Sequence, residues 1–240
     1  YRRSNNRRGV SGRTMIAALC TQLGIGGLVL FVPAGRTALA GAANGVNRVL
    51  DMGNHGIAFV FGGLVDSRMF QLFGDGGFVF GLRVLPMIIF VTALIAVLYY
   101  IGVMKWIVAI LGAALAKVLG VSRIEACSAV ATIFLGQSEM PALVKPFVRN
   151  MTSAEIFTVM ASGMASVAGS VLVGYAGLGV RMEYLLAASF MAVPGGLLFG
   201  KLLYPTVEPS RVVGDGLDFD EQRAAHAIAA AAAGASGWVW

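Results

Sequence analysis

The chain has 240 residues, 58% of them hydrophobic and only 12% charged, with a mean hydropathy of +0.79. Soluble domains carry about 25% charged residues, so this chain has too little polar surface to cover itself in water and reads as an integral membrane protein. Its net charge of +6 is not a nucleic-acid signature. Much of it sits in Arg2, Arg3, Arg7, Arg8 and Arg13, directly before the charge-free residues 14–35. That is the positive-inside pattern, which places this basic segment, residues 1–13, in the cytoplasm.

Taken in order, residues 14–33 predict the first transmembrane helix, ended by Pro33-Ala34-Gly35-Arg36 because proline cannot continue a helix. Residues 37–76 predict an interfacial helix and a surface loop. Leu39, Ala43, Val46, Val49 and Leu50 share a helical face, Gly53-Asn54-His55-Gly56 reads as a turn, and 57–65 is too short to span. Asn54 and His55 read as turn and interface residues rather than ligands. Residues 82–119 predict a long transmembrane helix with Pro86 in its first turn, Lys105 interrupting, and Tyr99, Tyr100 and Trp106 as an interfacial belt.

Residues 122–150 hold the most informative stretch. A charge-free run, 126–138, leads into the polar island Gly136-Gln137-Ser138-Glu139-Met140-Pro141, and apolar residues resume before Lys145. The run is shorter than the roughly 20 residues that span a bilayer. A carboxylate there costs about 2.5–3.5 kcal/mol on insertion scales. Two short apolar arms around such an island predict a re-entrant helical hairpin with Gln137 and Glu139 at a tip that a solute can meet. Ser122 with Glu125, and Thr152 with Glu155, are capping-box pairs that start helices.

Residues 153–180 lack charge from Ile156 on and are dense in Ala, Gly and Ser between Ala161 and Gly174. Small residues allow close helix packing; they also permit a broken helix whose freed carbonyls coordinate a cation. Residues 183–204 predict the last span, bent at Pro194-Gly195-Gly196, with Lys201 snorkelling. Residues 205–222 form a polar linker, and 223–240 the start of an interfacial helix. Cys20 and Cys127 lie in apolar segments and read as buried free thiols. Nothing clusters as a metal site. No signal peptide is visible, and with Tyr1 opening and Trp240 closing the chain both ends are expected to be cut from something longer.

The expected fold class is therefore an all-α polytopic membrane protein. It has about four spanning helices, a re-entrant helical hairpin and interfacial amphipathic helices. An intramembrane enzyme using Ser138 and Glu139 is disfavoured, because no second carboxylate pairs with Glu139 and His55 and His226 lie outside the spans. A purely structural membrane protein leaves the polar island unexplained.

Seven stretches taken together resemble one family. These are Gly77-Phe78-Val79-Phe80, Val84-Leu85-Pro86, Leu98-Tyr99-Tyr100-Ile101-Gly102, Gly136-Gln137-Ser138-Glu139, Met151-Thr152, Ala165-Ser166-Val167-Ala168-Gly169-Ser170 and Ala188-Ser189-Phe190-Met191-Ala192-Val193-Pro194. Over residues 13–236 the chain resembles the bacterial branch of the concentrative nucleoside transporters. The resemblance implies one half of an inverted-repeat transporter, a homotrimer in the bacterial inner membrane, importing uridine-like nucleosides with sodium or protons and needing no other cofactor. It implies that Gln137, Ser138 and Glu139 contact the nucleobase, that Val171 lines the base pocket, and that Thr132, Leu135, Ser166 and Val167 sit at the cation site. Glutamine offers a base edge both a donor and an acceptor, and glutamate offers acceptors. Sodium-coupled relatives carry Asn at the position of Thr132, which leaves the coupling ion, sodium or proton, open. The family's ribose contacts lie beyond this chain. A transporter of another small polar solute on the same hairpin is the alternative.

Overall fold

The computed structural model describes residues 9–66, 68–74, 79–135, 140, 144–208, 210, 212 and 226–236. Among these, helices and turns account for all regular structure: α1 (Gly12–Phe31), α2 (Pro33–Phe61), α3 (Arg68–Phe73), α4 (Phe80–Ile101), α5 (Val103–Leu119), α6 (Arg123–Ala131), α7 (Ser153–Ala165), α8 (Gly169–Gly177), α9 (Met182–Leu203) and α10 (Ala227–Ser236). Three are long and apolar enough to cross a membrane, within Gly12–Val29, Phe80–Ile101 and Met182–Leu203.

The N-terminal helices differ from the sequence reading. Ser11 caps α1, its hydroxyl accepting the Thr14 N–H at 3.4 Å. The chain then turns on the single extended residue Val32. Pro33 is the first residue of α2, where its missing N–H costs nothing. The 33–36 stretch is thus a helix start rather than a terminating loop. Gly35 makes the fold-back possible: a Cβ there would stand 2.2 Å from the Leu28 carbonyl oxygen.

A larger difference follows. The predicted turn at 53–56 is helical, and α2 runs for 29 residues. Gly53 is there because α4 is close, a Cβ meeting Phe90 Cδ1 at 2.7 Å and Met87 Sδ at 2.8 Å. Ala43, Leu50 and Ile57 of α2 pack with Met87 and Val91 of α4 into one core cluster. Tertiary packing outweighs the roughly 0.5–1 kcal/mol that each helical glycine costs.

The predicted long helix over 82–119 is two helices, parted at Gly102 in the left-handed region (φ 91°). Since α4 starts at Phe80, Pro86 lies in its interior rather than its first turn. Cys20 is exposed on α1, contrary to expectation, whereas Cys127 is buried. A Cβ on Gly112 of α5 would stand 2.4 Å from the Cys127 sulfur, so a small residue opposite the thiol lets α5 and α6 close.

The first spanning helix and the last lie side by side, and α9 also packs on α7. Gly196 faces Ser162 and Gly200 faces Thr158, hypothetical Cβ atoms standing 2.9 and 3.1 Å from the two Cα atoms. Both pairs are four residues apart, so two small-residue faces meet along their length.

The C-terminal helix α10 is not a lone interfacial piece: it packs along α4. A Cβ on Gly234 would lie 2.6 Å from Ala96 Cβ and 2.7 Å from the Thr92 carbonyl oxygen. Gly234→Val is expected to loosen this contact, at a cost of about 1–3 kcal/mol for overpacking. Faster limited proteolysis on the linker side of α10 would show it; an unchanged rate would refute the contact.

Candidate functional site

The site is built where two helices stop. Helix α6 begins with Ser122, whose N–H donates to Glu125 Oε2 at 3.1 Å, and it is buried throughout from Ile124 to Ala131. It ends at Thr132, fully buried, whose hydroxyl turns back to donate to the Ala129 carbonyl at 2.7 Å. The chain continues in turns through Leu135, whose N–H donates to the Ala131 carbonyl at 2.9 Å.

Helix α7 opens with Thr152 as N-cap. Its hydroxyl accepts the Glu155 N–H at 3.3 Å, and its own N–H donates to Glu155 Oε2 at 2.8 Å. At Ser166 the backbone becomes extended (φ −104°, ψ 160°) and the helix stops. The Ser166 hydroxyl donates to the Gly163 carbonyl at 3.3 Å. Helix α8 resumes at Gly169, so residues 166–168 interrupt one apolar path.

These two ends meet. A Cβ on Gly169 would lie 3.2 Å from the Phe134 carbonyl oxygen and 3.4 Å from that of Ile133. The first residue of α8 therefore stands directly against the carbonyls at the end of α6. Thr132 and Leu135 on one side, and Ser166 and Val167 on the other, belong to these two adjoining ends. Carbonyls left over at helix C-termini carry partial negative charge, and together with the Thr132 and Ser166 hydroxyls they are hard oxygens of the kind a small cation takes. Val171 lies in the first turn of α8, half-buried. No group of three or more His, Cys, Asp or Glu is found among the described residues that would hold a metal ion.

Gln137, Ser138 and Glu139 lie outside the described residues. Their flanks do not. Leu135 packs against a core cluster containing Val130 and Val159, and Met140 is buried within it. Met140 also lines an apolar cavity of about 370 Å³ beside α7, with Val144, Met151, Met160 and Met164.

Two features escaped the sequence reading. Lys201 does not snorkel: it is almost wholly buried, and its Nζ donates to Glu125 Oε1 and to the Thr206 hydroxyl. The clue was its place beside Gly200, on the face of α9 that packs inward. Secondly, the hydroxyls of Ser128 and Ser162 are buried without a hydrogen-bond partner. Both lie one helical turn beyond residues already singled out, Ser128 before Thr132 and Ser162 before Ser166.

Short capped helices ending at mid-chain breaks, among spans of full length, are the discontinuous-helix arrangement found in helical membrane transporters. Known proteins agree. Residues 1–64 match the family model "Na+ dependent nucleoside transporter N-terminus", and 81–182 match the model "Nucleoside recognition". The fold is similar to the solved structure of CNTnw in an inward-facing substrate-bound state, at a TM-score of 0.90 and 50% identity, covering 98% of this chain and 55% of that one. An outward-facing state of a CNTnw variant matches at a TM-score of 0.89, likewise 50% identical, over 98% of this chain and 54% of that one. The nucleoside permease NupC of Helicobacter pylori is 45% identical over 97% of this chain and 55% of the permease. The chain belongs to the concentrative nucleoside transporter family, a family of transporters rather than enzymes. It spans about half the length of the relatives it matches.

Proposed function

We propose that this chain forms the nucleobase and cation half of a secondary transporter that imports nucleosides, uridine-like ones included, down a sodium or proton gradient. The observation that carries this reading is the approach of Gly169, which directly follows the break at 166–168, to the Ile133 and Phe134 carbonyls just beyond α6. A site of uncharged hard oxygens suits a monovalent cation, which wants solvation without a fixed counter-charge. Thr132, Leu135, Ser166 and Val167 hold the cation in this reading. Gln137, Ser138 and Glu139 read the base edge, and Val171 packs on the base. The homologous permease of a bacterium supports a bacterial inner membrane, and the family supports a homotrimer.

The test is uridine uptake by the complete protein, with sodium replaced by choline at two pH values. Loss of uptake in choline at both values assigns sodium. Uptake in choline that rises at the lower pH assigns protons. Uptake indifferent to both cations would overturn the reading. Glu139→Gln is expected to weaken uridine uptake by about tenfold, the value of one lost charge-assisted hydrogen bond of roughly 1.5 kcal/mol. Unchanged competition by uridine would favour a transporter of another polar solute.

A further inference from the structure

We propose that Lys201 is a positioning residue for the cation site. Through its ion pair with Glu125 it sets where the end of α6 stands against the break that precedes α8. The inference rests on the proposed cation role of that junction and concerns residues at the opposite end of the same helices.

The densest buried charge among the described residues is a knot at the starts of α6 and α7. Glu125 and Glu155 are fully buried, and Lys201 is 9% exposed. The Thr152 N–H and hydroxyl both donate to Glu155 Oε2. Glu125 is used twice: Oε2 closes the first turn of its own helix, and Oε1 takes Lys201 Nζ at 2.5 Å. Lys201 also holds Thr206, folding the chain after α9 back across the knot. Three segments, α6, α9 and the chain after α9, are thus tied at one end of the bundle.

Register is what this tie can supply. Helix α9 is already fixed against α7, because Gly196 and Gly200 touch the Ser162 and Thr158 backbones. Lys201 follows Gly200 directly and reaches from that fixed contact to α6. Helix α6 is a rod of nine residues. Glu125 and Thr132 are seven residues apart, two helical turns on the same face, or about 10.5 Å along the axis. An axial slip or rotation of α6 at Glu125 therefore appears undiminished at Thr132 and at the Ile133 and Phe134 carbonyls. A buried ion pair adds little stability over a well-packed apolar pair. Its directional bond is what an apolar contact would not reproduce.

The experiment uses the complete protein with Lys201→Met, with the double variant Glu125→Gln/Lys201→Met, and with the unsubstituted protein. The double variant leaves neither member of the Glu125–Lys201 pair as an uncompensated buried charge, so it keeps the test open where the single variant fails to fold. Two quantities are read from nucleoside uptake: the half-saturating concentration of the coupling cation, and the KM for uridine at saturating cation. Both variants are expected to raise the cation value by about tenfold, the usual effect of removing a group that orients ligands, with the uridine KM at saturating cation unchanged. A wild-type cation value in the double variant overturns the proposal. So does a lower maximal rate with an unmoved cation value, which is what a merely structural pair would give. Cation-independent uptake by the unsubstituted protein would instead remove the underlying reading, and is seen before any variant is compared.

Discussion

Gly196→Val is expected to part α9 from α7 and to lower the thermal unfolding midpoint of the purified protein more than any other single glycine substitution on α9. A Cβ at this position would stand 2.9 Å from Ser162 Cα, 3.2 Å from its hydroxyl and 3.3 Å from its Cβ. The first of these is backbone and has no rotamer to change, so one helix must move. Valine adds two further methyl groups where even the first does not fit. Overpacking of this kind costs about 1–3 kcal/mol in soluble cores. The loss weighs more in a bilayer, where close packing rather than the hydrophobic effect joins helices. Gly200, one turn on, meets Thr158 Cα at 3.1 Å and lies beside Lys201, so the displacement carries to the ion pair with Glu125. Gly45→Ala on α2 is the control. Nothing lies within 4 Å of a Cβ there, and a helical Gly→Ala change at an open position is neutral or favourable by about 0.5–1 kcal/mol. Equal midpoints for the two variants would show that the α7–α9 contact does not hold the bundle.

Much of this bundle was legible locally. The pairs Ser122/Glu125 and Thr152/Glu155 announce helix starts because capping is settled within four residues, and both carboxylates do close back on their N-cap N–H. The density of small residues from Ala161 to Gly174 contains the interruption at 166–168 for the same reason, since unwinding is a local tolerance. What sequence misplaced depends on a distant partner. The glycine-bounded stretch at 53–56 reads as a turn until α4 is seen pressed on Gly53. Lys201 reads as a snorkelling cation until Glu125, 76 positions away, is seen to take it. Cys20 reads as buried because α1 is apolar all round, which does not say which side faces the protein. The candidate site divides along the same line. The family resemblance names Thr132 and Ser166, but their two ends adjoin only because Gly169 lets α8 approach the Ile133 and Phe134 carbonyls.

That approach gives the most direct test of the site. Gly169→Val is expected to raise the half-saturating cation concentration by about tenfold, equivalent to about 1.4 kcal/mol, while Gly169→Ala has a smaller effect. The first added carbon stands 3.2 Å from the Phe134 carbonyl oxygen and 3.4 Å from that of Ile133. Alanine is accommodated by a shift of a few tenths of an ångström. Valine sets a methyl group against the oxygens that the cation would use. It both pushes the end of α6 away from residues 166–168 and screens those oxygens from the site. The position is the first of a helix, where glycine is not needed for chain conformation, so a branched residue costs little in α8 itself. Uptake is measured against cation concentration at equal amounts of protein in the membrane, which separates site damage from poor folding. A valine variant with the wild-type cation dependence would show that the Ile133 and Phe134 carbonyls do not face the ion. The cation would then have to be held by the 166–168 side alone. A variant with raised cation demand but an unchanged uridine KM at saturating cation would place the ion at the junction of α6 with α8, apart from the base contacts.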